Sequence, residues 1–193
     1  MAKAKIVDVW KSKTWYTVLA PQIFENKEIG QIPATEDSKL LNRVVEVSLS
    51  DLTGDISHSY VSLKFKVNDV KGKTAYTTFV GHEISPSYLK TLVRRRRDVV
   101  GEVVDVETKD GVKMRLKLQI FTAKRVSSSA RTDLRKNSRE EMINRAKELD
   151  SQQLIQEIVF GKFSAHLFNK LKKICPIKRI EVRKTEIAGS TAS

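Results

Sequence analysis

One dipeptide in the sequence combines the side chains that metal sites and general acid-base pairs use. Glu83 directly follows His82, and Asp51 and Asp55 lie in an earlier turn-like segment. An imidazole and carboxylates can bind a divalent metal or exchange a proton where a fold brings them together. A single His-Glu pair is weak evidence, however, and two aspartates in a turn more often cap backbone amides. We therefore expect no catalytic residue and no metal site.

The sequence lacks the other common catalytic signatures. It contains no phosphate-binding glycine loop, no GxSxG motif and no HExxH motif. Its one cysteine, Cys175, cannot form an internal disulfide and is expected to pack as a small hydrophobic residue. We therefore predict a protein that has no cofactor and no small-molecule substrate.

The net charge indicates a polyanionic partner. The chain has 193 residues, of which 36 are Lys or Arg and 23 are Asp or Glu, so its formal net charge is +13. Nucleic acid is the expected partner, while an anionic membrane and an ordinary basic surface are the alternatives. No apolar run reaches the ~18 residues of a membrane span, and the N-terminus lacks the apolar core of a signal peptide. We expect a cytoplasmic protein without a membrane segment.

The cations are unevenly distributed along the chain. Acidic residues gather in segments 35–55 and 140–157, whereas segment 162–184 is strongly basic. The four adjacent arginines Arg94–Arg97 repel one another, and the bidentate guanidinium group suits phosphate. The predicted RNA-binding residues are Lys11, Lys13, Trp15, Arg94, Arg95, Arg96, Arg97, Lys113, Arg115, Lys117, Lys124, Arg125, Lys178, Arg179, Arg183 and Lys184.

Residues 1–22 are predicted to form an extended arm that is basic and aromatic. The segment shows no clean period of 2 or 3.6, and it mixes lysines with Trp10, Trp15 and Tyr16. Such rings can stack on bases while the cations neutralise phosphates. The alternative is that Trp15 docks on the core together with Val18.

Residues 23–126 are predicted to form an antiparallel β core, because hydrophobic residues recur with a period of 2 from Arg43 to Ile120. The clearest strand runs from Val112 to Ile120 and presents its cations on one face. Asp110-Gly111, just before it, suits the positive φ angles of a type I′ turn. Ser85-Pro86 is typical of a helix start, with an N-cap followed by proline at the first helical position.

Residues 127–187 are predicted to be helical, with a final strand that returns to the core. Ser138 fits the start of a capping box, and two later apolar stripes end at Gly161 and at Pro176. Residues 188–193 are small and polar, which predicts a frayed tail. The expected fold class is therefore α+β, with an antiparallel, β-barrel-like core, C-terminal helices packed on it and an extended basic N-terminal arm.

Seven motifs, in order along nearly the whole chain, resemble those of one protein family. They are Asp51-Leu52-Thr53-Gly54-Asp55, Phe65-Lys66-Val67, Thr78-Phe79-Val80-Gly81-His82-Glu83, Tyr88-Leu89-Lys90-Thr91-Leu92-Val93-Arg94-Arg95, Thr108-Lys109-Asp110-Gly111, Phe121-Thr122-Ala123-Lys124-Arg125 and Pro176-Ile177-Lys178-Arg179-Ile180-Glu181-Val182-Arg183-Lys184. These motifs are similar to those of the archaeal and eukaryotic small-subunit ribosomal protein family S3Ae, also called eukaryotic-type S1. Ser85-Pro86-Ser87 departs from the family's usual Thr-x-Asp before the tyrosine, and the short ends favour an archaeal member.

The resemblance implies a function and a set of partners. The expected protein is a structural, non-enzymatic constituent of the small ribosomal subunit. It would bind ribosomal RNA on the platform, near the messenger exit and the 3′ end of the small-subunit RNA. Neighbouring platform proteins are the further expected partners, with messenger RNA near the exit, and the location is cytoplasmic, in the small subunit.

Two rival functions remain open at this point. One is a free-standing single-strand RNA-binding protein of the barrel type, which stacks bases on Trp10, Trp15 and Tyr16. The other is a metal-dependent RNA-processing enzyme that uses Asp51, Asp55 and His82.

Overall fold

The computed structural model describes residue 10 and residues 12–187 of the chain. The fold is α+β, as expected, and within that part of the chain it comprises eight strands and five α-helices. The strands are β1 (Thr14–Leu19), β2 (Glu28–Ala34), β3 (Val44–Ser48), β4 (Val61–Lys71), β5 (Thr74–Ile84), β6 (Val99–Glu107), β7 (Lys113–Thr122) and β8 (Ile177–Ile187). The helices are α1 (Leu49–Thr53), α2 (Pro86–Leu92), α3 (Ser128–Glu148), α4 (Ser151–Val159) and α5 (Lys162–Leu171).

The eight strands form one branched sheet with β5 at its centre. β4 pairs with one edge of β5, while the other edge pairs first with β1 and then with β8. β2 continues the β1 branch, β3 pairs with β4, and β7 and β6 continue the β8 branch. Only the pairing of β1 with β5 is parallel. The sheet does not close, so "barrel-like" describes it only loosely.

The main core lies between the sheet and the C-terminal helices, as the apolar stripes predicted. α3 lies against β6 and α5 against β8. On β7, Met114, Leu116, Leu118 and Ile120 are all buried, whereas Lys113 and Arg115 are exposed. The predicted register of this strand is therefore confirmed, because adjacent residues of a strand point to opposite faces.

Thr14–Leu19, which the sequence assigned to an extended arm, forms strand β1. It pairs with β2 and β5, and Tyr16 and Val18 lie in a second, smaller core with Leu40 and Val67. The alternation is too short to stand out in the sequence, and β1 depends on its two partner strands. Residues 1–9 and 11 of the predicted arm lie outside the described residues, as does the predicted tail, 188–193.

Two helix starts were predicted, and one of them was wrong. Pro86 is the first residue of α2, as expected. α3, however, begins at Ser128, with the Ser127 hydroxyl accepting a hydrogen bond from the N–H of Ala130 at 3.3 Å. Ser138 is buried inside α3 and donates its hydroxyl to the carbonyl of Arg135 at 2.9 Å. The first turns of α3 are largely polar, so no apolar stripe marked their helical state.

The turn between β6 and β7 is longer than the predicted type I′ turn. The loop between Thr108 and Val112 has three residues, and among them only Gly111 has a positive φ, at 74°. A three-residue hairpin loop commonly places a glycine in this left-handed conformation. Asp110 instead accepts hydrogen bonds from the backbone N–H and the hydroxyl of Ser151, at 2.9 and 3.2 Å. The first of these bonds is the main reason why the pKa of Asp110 is lowered. This aspartate therefore anchors the start of α4.

Candidate nucleic-acid interface

His82 links two strands of the sheet and is not available for catalysis. Its side chain is 3% exposed; its Nδ1 accepts from the hydroxyl of Thr185 at 2.8 Å, and its Nε2 donates to the carbonyl of Val182 at 2.9 Å. Burial lowers the pKa of His82 to about 4, so the ring is neutral near pH 7. Both ring nitrogens are used to join β5 to β8.

Two carboxylates considered for catalysis, those of Asp55 and Glu83, accept hydrogen bonds from neighbouring residues. Asp55 accepts a hydrogen bond from the N–H of Ser57 at 2.9 Å, which lowers the pKa of Asp55, and Glu83 accepts from Lys64 at 2.6 Å. Glu83 also faces the opposite side of β5 from His82, because neighbours in a strand alternate. Within residues 12–187 and residue 10, no three His, Cys, Asp or Glu side chains are placed to hold a metal ion.

The outward cations of β7 lie in a row of alternating charges across the sheet. Arg115 donates to both carboxylate oxygens of Asp105 on β6, at 2.6 and 3.0 Å. Lys117 lies 3.3 Å from Glu186 on β8. We call the whole row the charge ladder, and its members, from β4 to β6, are Lys64, Glu83, Lys184, Glu186, Lys117, Arg115 and Asp105.

The charge ladder is nearly neutral, because four cations face three carboxylates. Lys184 contacts Glu186 at 2.7 Å and Glu83 at 4.0 Å. Hydrogen bonds from Lys184 and Lys64 lower the pKa values of Glu186 and Glu83, respectively. A phosphate that approaches these lysines must therefore compete with a bound carboxylate.

A different group of cations meets where three loops come together. Asp98 fixes the first two loops, because its N–H donates to the hydroxyl of Thr122 at 2.9 Å and its carboxylate accepts from the N–H of Val126 at 2.8 Å. The third loop joins where the N–H of Ala123 donates to the carbonyl of Pro176 at 2.8 Å. We give the name basic end to eight cations of these loops and of the start of β8, which are Arg94, Arg95, Arg96, Arg97, Lys124, Arg125, Lys173 and Lys178. Lys172 of the third loop is not included, because it donates a hydrogen bond to Asn169 at 3.3 Å.

The basic end has no carboxylate partners of its own. In the described part of the chain, none of its eight side chains forms an ion pair or a hydrogen bond, and all except the half-buried Arg97 are exposed. The nearby Asp98 is already 3.5 Å from Arg131. Arg96 has a φ of 61°, which is uncommon for a residue other than glycine.

The remaining predicted site residues are dispersed. Lys13 lies over the ring of Trp10 at 3.8 Å, and Trp15 is 57% exposed on β1. Tyr16 is buried and donates its hydroxyl to Asp37 at 2.5 Å, so this ring cannot stack on a base. Lys11 lies outside the described residues.

On β8, two predicted cations occupy bulges. Lys178 and Arg183 are the extra residues at the two register shifts between β7 and β8, and a bulge redirects a side chain. Arg179 lies beside the first bulge and donates to Glu181 at 2.5 Å. The predicted set omitted Lys173, although this lysine lies in the strongly basic segment 162–184.

Known proteins identify the family of the chain. Residues 1–190 match the model of the ribosomal S3Ae family. The small ribosomal subunit protein eS1 of Methanothrix thermoacetophila is 44% identical over 92% of this chain and 84% of its own length. The eS1 proteins of Sulfurisphaera tokodaii and Archaeoglobus fulgidus are 41% and 40% identical, over 99% and 98% of this chain and 99% and 90% of their own lengths.

No helix in the part of the chain described by the structure is long and apolar enough to cross a membrane. These relatives are named as proteins of the small ribosomal subunit. With a family match over nearly its whole length, the chain belongs to the ribosomal S3Ae family.

Proposed function

We propose that this protein is a structural constituent of the small ribosomal subunit that binds ribosomal RNA through its basic end. The family supports the ribosomal role. The observation that supports the RNA contact is the convergence of eight cations without carboxylate partners at one end of the sheet. The proposed location is the subunit platform near the messenger exit, in the cytoplasm, with messenger RNA as a further contact.

The mechanism is electrostatic. Each Lys or Arg that neutralises a phosphate releases a counterion from the RNA, and this release favours binding at low salt. An unpaired cation contributes this gain in full, whereas a ladder cation must first weaken its contact with a carboxylate. Arginines are well suited to such contacts, because the guanidinium group can bind a phosphate through two parallel hydrogen bonds.

Neighbouring platform proteins are the other proposed partners. β6 ends its branch of the sheet, and its outward residues Val99 and Val103 are 40% and 54% exposed. Exposed apolar residues on an edge strand favour contact with another protein.

Binding to small-subunit ribosomal RNA at a series of salt concentrations tests the proposal. We expect the logarithm of the binding constant to fall linearly with the logarithm of the salt concentration, with a slope that grows with the number of phosphates contacted. An affinity that does not change between low and moderate salt would contradict it.

Sucrose-gradient sedimentation of a cell lysate in high salt separates the rivals. Sedimentation with the small subunit supports the ribosomal function, and purely free protein supports the free-standing RNA-binding alternative. A stoichiometric divalent metal and a hydrolytic activity that are both lost in His82→Ala would support the enzyme alternative.

A further inference from the structure

A cavity of about 490 Å³ opens beside the basic end, between α5 and the start of β8. Its apolar lining residues include Val61, Ile84 and Phe168, while Asn169, Lys178 and Arg179 lie among its polar lining residues. The volume falls within the ~300–1,000 Å³ that is usual for sites of small organic ligands. Lys178 belongs to both the cavity and the basic end, so the two features are continuous.

Aromatic rings and a buried carboxylate hold Arg179 in place. The rings of Tyr60 and Tyr88 stack with their centroids 3.8 Å apart and 11° between their planes. The guanidinium group of Arg179 lies 5.7 Å from the centroid of Tyr88, and its Nε donates to Glu181, which is 9% exposed. Burial raises the pKa of Glu181, and the nearby Arg179 opposes that shift. These contacts fix a flat group with additional N–H donors.

We propose that the cavity receives one unpaired base of the bound RNA, while the phosphate of that nucleotide lies at Lys178. The inference rests on the proposed function, because the basic end supplies the strand. A base has flat apolar faces and a polar edge, which match the apolar lining residues, the ring of Tyr60 and the donors of Arg179 and Asn169. RNA-binding proteins commonly recognise unpaired bases by such stacking and edge contacts.

Variants that fill the cavity test the proposal without removing a charge. Ala165 and Asn169 both line the cavity and are both exposed, so Ala165→Trp and Asn169→Trp should fold. Asn137→Trp is the matched control, since Asn137 is an exposed asparagine on α3 away from the cavity. The probes are a short single-stranded oligoadenylate and the same strand with abasic residues, and thermal unfolding verifies that each variant is folded.

We expect Ala165→Trp and Asn169→Trp to lower the affinity for oligoadenylate about 5- to 150-fold, the range that stacking of one base supports. The salt slope should not change, because the phosphate contacts remain. Asn137→Trp should bind like the wild type. The abasic strand should bind more weakly and equally to all four proteins.

The result that overturns the inference differs from the result that overturns the proposed function. If the wild type binds RNA with a clear salt slope and both folded cavity variants bind equally well, no base enters the cavity. Wild-type RNA affinity combined with poor incorporation into subunits would assign the cavity to a neighbouring protein instead. If the wild type shows no salt-dependent binding at all, the proposed function itself is wrong.

Discussion

Two cationic regions of the molecule, the charge ladder and the basic end, differ in whether carboxylates pair with their cations. The charge ladder places four cations against three carboxylates on the outer face of the sheet, whereas the basic end gathers eight cations without a partner in the described residues. Exposed ion pairs contribute only about 0–1 kcal/mol each to stability. They nevertheless cancel the local potential, which is screened beyond the Debye length of ~8–10 Å. We therefore expect RNA binding to depend on whether a cation is already paired with a carboxylate.

The largest expected effect comes from placing a charge on the buried face of β7. Leu116 is 0% exposed, whereas its neighbours Arg115 and Lys117 belong to the ladder. Leu116→Lys would bury an unpaired charge in the core and should unfold or aggregate the protein. Circular dichroism and thermal unfolding measure this change, and a folded variant with a native melting temperature would show that the register is wrong.

Next in size is the loss of RNA affinity when the basic end loses half of its cations. Replacing Arg94–Arg97 by Gln should weaken RNA binding about 100- to 1,000-fold and reduce the salt slope by about 3 to 4, one unit for each phosphate contact. The melting temperature should change little, because these side chains are largely exposed and make no bond in the described chain. Filter binding at several salt concentrations measures both quantities.

The matched control removes the same number of charges from the charge ladder. Replacement of Lys64, Arg115, Lys117 and Lys184 by Gln should weaken RNA binding far less and should lower the stability slightly, because three carboxylates lose their partners. Equal losses of affinity in the two quadruple variants would show that net charge alone decides, and the comparison would fail.

Acidic pH should lower the stability of the sheet more than it lowers RNA binding at the basic end. The pKa of folded His82 is about 4, below its ordinary value of 6.5, so its contribution to stability is fully present above pH 6.5 and is lost as the pH falls towards 4. The loss is at most about 3 kcal/mol. The lowered pKa values of Glu83 and Glu186 act in the same direction at lower pH.

Urea unfolding between pH 7.5 and pH 4.5 measures this loss of stability. RNA binding should stay nearly constant over the part of the range in which the protein remains folded, because arginine does not titrate there. A free energy of unfolding that is flat down to pH 4.5 would mean that His82 is not buried as a neutral ring.

The smallest expected effect concerns Arg96, where binding and stability should change in opposite directions. Its φ of 61° favours glycine, so Arg96→Gly should relieve about 1 kcal/mol of backbone strain while removing one phosphate contact. The melting temperature should rise slightly, and the RNA affinity should fall about fivefold to tenfold. Arg95→Gly is the control, since Arg95 has no positive φ and its replacement should weaken binding without a gain in stability.

Sequence patterns predicted those elements whose signals are local. β7 alternates as far as Ile120, and Gly161 follows the end of α4, so these features followed from one segment at a time. The stripe that was expected to end at Pro176 is helical only as far as Leu171. β2 escaped prediction because Glu28–Ala34 contains a glycine and a proline and shows no alternation. β1 is also absent from the prediction, since it depends on partners on both of its edges.

The same difference between local signals and long-range pairing applies to the candidate site. The cations of the basic end were visible as residue types, and Arg94–Arg97 stood out as a run. The pairing of Arg115 with Asp105 depends on the cross-strand register of β6 and β7, which neither strand contains alone. The sequence could therefore count the charges but could not separate the paired cations from the unpaired ones.

The position of β8 also has a consequence for biosynthesis. β8 is the last described strand in the chain, yet it lies between β5 and β7, and Gly81 allows such close contact that a Cβ there would lie 2.1 Å from the carbonyl oxygen of Thr185. Until residues 177–187 leave the exit tunnel, the β4–β5 and β6–β7 hairpins remain two separate pieces with open edges. Such edges favour aggregation, and joining them late requires contacts between distant parts of the chain. The nascent protein should therefore complete its sheet only after residues 177–187 have been synthesised.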